Sequence, residues 1–484
     1  MSGVDQDERP VDLPVTSVIV DRLSFTVRAS MFRFAATMMK RTTIPLATEF
    51  ALRLIHLIPR VTAEDLAAFF GFRESEIAVL IQDVLETQLA VERDGRFELS
   101  ARGREAVSPQ GDVELFAIEE VNAHQAFDLI AFAPIDDEEL DKATARLVPE
   151  LTLPDKQRAS TAIAEADKAF ELHFQEWLQR ARPRSEEMRF RSVEDVRQTK
   201  SLAAPLAVPI RYTLEDPSKA EADFTALRQE GVPGARDSLI ASLSGEIKRL
   251  AVPRDSEWAL ETLTTIDGGI LPAAGLPNVA AITGWVRRVV NASFDKGADH
   301  LPVFGSVVGD PVRRTLSEWA PALPVRRKAM PLYWLPPSTG HWGRSVAFAS
   351  LVRELSDLVP EGITLLPRTD FSGPDLKRLT RLFRPIEDQA GFDSCIGLPI
   401  ASPDALEILV RPHSFALVLV HAEDPGSGYP LPVGYATRDP NVVKELAFYV
   451  GGIVRDADVD DVQWHPEGSN KGDALAKAQD DLWS

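Results

Sequence analysis

TAEDLAAFFGFRESEIAVLIQDVLETQLAVERDGRFELSARGREA, residues 62–106, carries three start signals, two stops and a turn in forty-five residues. Thr62 is a good N-cap, and Asp65 three residues later gives a capping-box pattern for a helix over Ala63–Phe70. Gly71 ends that helix, because glycine accepts the left-handed backbone of a C′ position without penalty. From Glu74 to Gln88, Ile77, Leu80, Ile81, Val84 and Leu85 share one helical face. Two short strands follow, Leu89–Glu92 and Phe97–Leu99, joined through Arg93-Asp94-Gly95-Arg96, where Asp-Gly is a strong hairpin signal. Upstream, Pro45 can open a first helix, since its missing N–H is not needed in the first turn. Leu46, Phe50, Leu54, Leu57 and Ile58 then recur at helical spacing up to Pro59.

This order of helix, helix, turn, helix and β-ribbon closely resembles the winged-helix domains of bacterial transcription regulators. Leu99-Ser100-Ala101-Arg102-Gly103 is similar to the L-T-x-x-G that commonly follows the wing. The resemblance covers about an eighth of the chain and implies a third helix that enters the major groove with basic or amide side chains. Here that helix carries Glu74, Glu76, Asp83 and Glu86, and has no Lys or Arg between Glu74 and Gln88. Gln82 and Gln88 are its remaining base readers. Acidic side chains facing phosphates repel, so nucleic-acid contact falls to the wing and its sequel: Arg93, Arg96, Arg102 and Arg104. Protein docking and DNA contact both stay open for this domain.

Charge narrows the choice of partner. The 484 residues carry a formal net charge of -20, which excludes a general polyanion binder and leaves other protein subunits, or double-stranded DNA held by a local basic patch. One cysteine, Cys395, rules out an internal disulfide framework and a Cys-rich zinc module. With no apolar run of about 18 residues and no signal-peptide pattern, no membrane role and a cytoplasmic location are expected.

The whole chain reads as an α+β multi-domain protein: a winged-helix N-terminal domain, a helical connector and an α/β C-terminal region. The boundaries are a strand/helix extension over 1–44, the winged-helix domain over 45–110, strands plus a long helix over 111–204, an α/β domain over 205–455 and a loosely held acidic tail over 456–484. Within the extension, strands are expected over 16–27 and a helix over 28–41. The connector is expected to hold two strands near Asn122-Ala123-His124, one helix over 153–182, and then a basic run, Arg180, Arg182, Arg184, Arg189 and Arg191. In the α/β region a helix is expected over 219–229.

Candidate chemistry lies in the α/β region. The order Leu406–His413, Phe415–Val420, Val433–Thr437 and Asn441–Val450 resembles the C-terminal half of the phospholipase D-like superfamily, whose signature is H-x-K-x-x-x-x-D followed by G-S-x-N. Only His413 and Gly434 keep their identity. Phe415 and Val420 replace the lysine and aspartate, so the resemblance implies a degenerate domain, with His413 as the catalytic residue if the chain is an enzyme.

The loop Ser338–Arg344, between a strand and a helix, is an anion-site candidate through His341 and Arg344, and Gly305-Ser306-Val307-Val308-Gly309 is a similar loop. Lys377, Arg378, Arg381 and Arg384 form a one-sided basic face suited to a phosphate backbone. His421 with Glu423 and Asp424 is the nearest approach to a metal cluster, but turn chemistry follows at once. No metal and no cofactor are expected. The combined reading is a non-catalytic DNA-facing or scaffolding subunit of a larger bacterial system, a pairing associated by analogy with phage-defence and mobile-element proteins. The alternatives are a phosphodiesterase or nuclease of phospholipase D-like type, and a winged-helix regulator with a C-terminal sensing domain.

Overall fold

A computed structural model describes residues 17–42, 44–58, 60–108, 113, 115–136, 148–182, 188–214, 219–229, 231–250, 253–271, 284–286, 289, 299–321, 330–368, 380–385, 391–399, 402–424 and 426–484. The chain is mixed α/β with several sheets. It opens on a strand of 26 residues, β1 (Ser17–Thr42). The expected helix over 28–41 is therefore extended. Phe32, Phe34, Ala36 and Met38 are all buried, the period of two that a strand requires. Register shifts at Met31/Phe32, Ala35/Ala36 and Thr37/Met38 disturb the alternation of the neighbouring residues and gave the sequence its helical look.

Between β1 and its neighbour β5 is inserted a unit with its own core: α1 (Leu46–Leu57), β2 (Val61–Thr62), α2 (Ala63–Phe70), α3 (Glu74–Glu86), β3 (Ala90–Arg93), β4 (Arg96–Leu99) and α4 (Ala101–Ala106). Its three strands pair in the order β2-β4-β3. The caps are those the sequence announces. Thr62 and Asp65 form a capping box, Gly71 has φ 67°, and Asp94 and Gly95 turn the hairpin at φ 52° and 74°.

The chain then returns through β5 (Leu115–Asp128), a single strand that runs straight through Asn122-Ala123-His124 instead of turning there, and β6 (Pro134–Ile135). The expected long helix is three segments, α5 (Lys156–Ser160), α6 (Ala162–Leu172) and α7 (Phe174–Ala181). A second 26-residue strand follows, β7 (Met188–Thr213), and then β8 (Lys219–Ala222). These build an antiparallel sheet, β6-β5-β1-β7-β8. Its far half is covered by α6 and α7, where Phe34 stacks on Phe170 at 4.2 Å between ring centroids, a contact worth about 0.5–1.5 kcal/mol beyond area burial. Of the basic run, Arg184 lies outside the described residues, and three of the others take separate partners in this region. Arg182 pairs with Glu119, Arg180 with Asp136, and Arg189 lies over the Phe116 ring.

The remaining elements are α8 (Thr225–Gln229), α9 (Asp237–Ile247), α10 (Ser256–Asp267), β9 (His300–Phe304), α11 (Asp310–Trp319), β10 (Leu332–Leu335), α12 (Val346–Leu358), β11 (Ile363–Leu365), β12 (Ser394–Ile396), β13 (Leu406–Arg411), β14 (Phe415–Glu423), β15 (Pro430–Thr437), α13 (Pro440–Arg455), β16 (Val462–Trp464) and α14 (Lys471–Trp483). The helix expected over 219–229 is thus β8 followed by the short α8. The second sheet has the order β16-β12-β11-β10-β13-β14-β15-β9. One of its faces packs on α11 and α12. The other joins the near half of the first sheet and α9, α10, α13 and α14 in the largest core.

The acidic C-terminus is no loose tail. β16 pairs with β12, and α14 buries Leu475, Ala478 and Leu482 while Asp481 accepts a hydrogen bond from Tyr333 Oη at 3.1 Å. Apolar spacing, not acid count, decided its fate. Among the described residues, no helix is long and apolar enough to cross a membrane.

Candidate functional site

β9, β10 and β14 run in the same direction, since each is linked to the next through an intervening antiparallel strand. Their carboxyl ends therefore lie on one edge of the sheet, where open α/β sheets place ligands. Three features from distant parts of the sequence converge there: the 305–309 loop after β9, the 338–344 loop after β10, and His421 near the end of β14. With Asp21 and Phe348 they line a cavity of about 30 Å³, room for one or two waters.

Two carboxylates organise this site. Glu407 is fully buried in β13, and three donors converge on it: the indole N–H groups of Trp334 and Trp342 at 2.9 Å each, and Nε2 of His421 at 2.8 Å. Asp21 sits beside the bulge in β1, between Ile19 and Asp21. It accepts from Ser306 Oγ, Tyr429 Oη and the Arg22 amide, each at 2.7 Å. The loop glycines make this approach feasible. A Cβ on Gly305, which has φ 98°, would stand 2.6 Å from the Val20 carbonyl oxygen, and one on Gly309 would stand 2.7 Å from the same atom.

With Nε2 held by Glu407, the Nδ1 of buried His421 has no partner among the described residues, and neither has Nδ1 of His341. Burial, aided by nearby His421, lowers the His341 pKa below the usual imidazole range and keeps that ring neutral. Burial and the Asp21 charge push the Tyr429 phenol well up, so it stays a donor. Ser306 is bonded to a carboxylate, not to an imidazole. The site thus holds polar atoms that suit a small guest.

The sequence candidates separate in space. The 338–344 loop does not form the expected open anion cradle. At the start of α12 the Val346 amide donates to Ser24 Oγ and the Phe348 amide to Ser345 Oγ, so those donors are spent. His341 lines the cavity, and Arg344 Nη1 donates to the Gly340 carbonyl. His413 occupies the β13–β14 hairpin turn at φ 62°, at the opposite end of β14, with its Nε2 3.1 Å from Ser484 Oγ. His421, Glu423 and Asp424 diverge: His421 meets Glu407, while Asp424 accepts from Ser427 Oγ in its own turn at 2.5 Å and from the Ala220 amide of β8 at 3.1 Å. Lys377 and Arg378 lie outside the described residues; Arg381 and Arg384 are exposed. Asp21 and Glu407 were not singled out in the sequence. The available signal was a lone acid inside an otherwise apolar strand start, as in Leu406-Glu407-Ile408-Leu409.

In the inserted unit, Arg102 reaches Gln88 Oε1, in the turn after α3, at 3.4 Å, and Arg104 the Leu99 carbonyl, at the end of the ribbon, at 2.8 Å. Arg93 and Arg96 are exposed and directly opposed across the hairpin tip. Like charges in register repel, and an anionic partner would relieve them. On α3, Gln82 donates to Glu86, and Val79 is exposed. Seven of the thirteen exposed large apolar side chains among the described residues lie between Leu46 and Val79. The chain matches no protein-family model and no curated protein sequence.

Proposed function

We propose that this chain is a non-catalytic assembly protein, a scaffolding or DNA-facing subunit of a larger bacterial system, whose inserted unit is a winged-helix module used for docking. The observation that carries this reading is the surface of that unit. It concentrates exposed apolar side chains on α1, on the end of α2 and on α3, while α3 offers phosphates no cation. Apolar patches of this kind mark protein interaction sites. The paired arginines at the ribbon tip supply a short, sequence-indifferent contact to a backbone phosphate.

The test is binding of the full chain to mixed-sequence duplex DNA, followed by fluorescence anisotropy over a salt series. Weak binding is expected, and Arg93→Ala with Arg96→Ala should reduce the slope of log K against log salt by about 1.8. A tight complex with one sequence, lost in Gln82→Ala and Gln88→Ala, would replace the scaffold by a regulator. The cavity favours that second reading in one respect: two imidazole nitrogens without partners suit a C-terminal region that senses a small polar guest.

A further inference from the structure

The cavity at the strand ends is short of positive charge. Asp21 and Glu407 are buried carboxylates, and among the described residues neither forms an ion pair with a lysine or arginine. Arg22 lines the cavity, but its guanidinium turns to Asp310 at 2.6 Å. The charge of Arg368 reaches Glu407, yet that side chain also answers Asp404 and Asp255. Its donors go to Ser402 and to the Pro336 and Leu406 carbonyls. Buried negative charge is costly unless a cation or strong donors offset it.

The lone pairs around the cavity ask for the same kind of guest. His421 is 3% exposed and its Nε2 proton faces Glu407, so the neutral ring presents a bare Nδ1. Nδ1 of His341 is likewise without a partner, and both rings line the same cavity. The hydroxyls of Ser306 and Tyr429 and the indole N–H of Trp342 are already engaged on the two carboxylates. Trp342 and Phe348 add aromatic rings to the wall, 4.8 Å apart between centroids, and ring faces attract cations. A volume of about 30 Å³ admits a group the size of water and nothing bulky. Among the described residues no three His, Cys, Asp or Glu side chains assemble as metal ligands, which leaves a cation held by hydrogen bonds.

We propose that this cavity binds an ammonium group, as the free ion or as the head of a small primary amine, with His341 and His421 accepting its N–H bonds. This rests on the reading of the C-terminal region as a sensor of a small polar guest, and it names that guest. The cation satisfies both bare nitrogens at once and offsets the charge of Asp21 and Glu407. Because its ligands come from β14 and from the loop after β10, a bound guest ties that loop to the sheet.

Thermal melts of the full chain in ammonium chloride and in potassium chloride, at equal ionic strength, test the proposal. Ammonium should raise the melting temperature along a saturable curve. Potassium carries the same charge without N–H donors and should not. Methylammonium chloride separates the two sources: a matching rise assigns an amine head, and its absence assigns the free ion. His341→Phe keeps a ring without an acceptor and should weaken ammonium at least about tenfold, the loss of one hydrogen bond to a charged group. His341→Asn, which restores an acceptor, should recover part of that loss. Circular dichroism confirms that each variant is folded, and nitrogen-15 spectra of histidine-labelled chain should show both Nδ1 resonances move with ammonium. Identical melts in ammonium and potassium, or an ammonium effect untouched by His341→Phe, would overturn the assignment. Stabilisation by sodium formate or zinc chloride instead would overturn it while leaving a small-guest site standing. No response to any of these salts would overturn the guest reading as well.

Discussion

Glu407 Oε2 lies 2.8 Å from Nε2 of His421 between two sheet strands that solvent does not reach. The pair extends the row Leu417, Leu419, His421 on β14, across from Leu409 and Glu407 on β13. Its other oxygen receives two tryptophan N–H groups. A buried acid with three donors fixes β10, β13, β14 and the loop after β10 to one another, and the cost of removing it is the cost of three stranded donors.

Glu407→Ala should therefore destabilise the fold by about 3–5 kcal/mol. Urea unfolding of the purified chain measures this. A loss under about 1 kcal/mol would mean that water replaces the carboxylate and that the site is open.

His341 gives a pH signature. Its folded pKa lies below the unfolded value of 6.5, from burial first, so the unfolded chain binds the extra proton. The stability it contributes is complete above pH 6.5 and is lost as pH falls through the folded pKa. His341→Gln should flatten the stability profile between pH 7 and 5 relative to the parent. Parallel profiles would show that the ring is freely solvated.

Gly305→Ala should cost about 2 kcal/mol or more, since φ is 98° and a Cβ would meet the Val20 carbonyl at 2.6 Å. Thermal melts of the two proteins compare them directly. Equal melting temperatures would place β1 further from the loop.

Arg93→Glu converts a repelling cross-strand pair into an attracting one and should stabilise the inserted unit by about 0.2–1 kcal/mol. Hydrogen exchange at Val91 and Phe97 reads the local change. Faster exchange in the variant would count against the opposed-arginine geometry.

Thr42 and Leu115, which flank the inserted unit, are register partners. Replacing residues 43–114 by Asn-Gly should close a two-residue hairpin and leave the rest of the chain folded, with an unchanged near-ultraviolet spectrum. A collapsed spectrum would show that the unit supports the sheet.

Much of the inserted unit was legible because its signals are local. Thr62, Gly71 and Asp94-Gly95 each act on residues two to four positions away. The long ribbon was legible only over its first part, the strand expected at 16–27; beyond Val27 the bulges disrupt the alternation that would betray a strand, and the pairing partners lie far along the chain. The cavity was half legible. Gly305–Gly309, the 338–344 loop and His421 each drew notice alone, but only strand order β10-β13-β14-β15-β9 brings them together. Asp21 arrives from a different sheet, and nothing near it in sequence announces a site.

The separation of β1 from β7 also sets an order of events at birth. Even their closest paired residues, Lys40 and Met188, are 148 positions apart, roughly 7 to 30 s of synthesis at ordinary rates. The second half of the first strand can pair with β5 once residues 115–128 are made, but its first half, Ser17–Arg28, and its other edge wait for β7, while the compact insert has time to close on itself. Slowing translation before residue 188 should lengthen that exposure and raise the yield of aggregate.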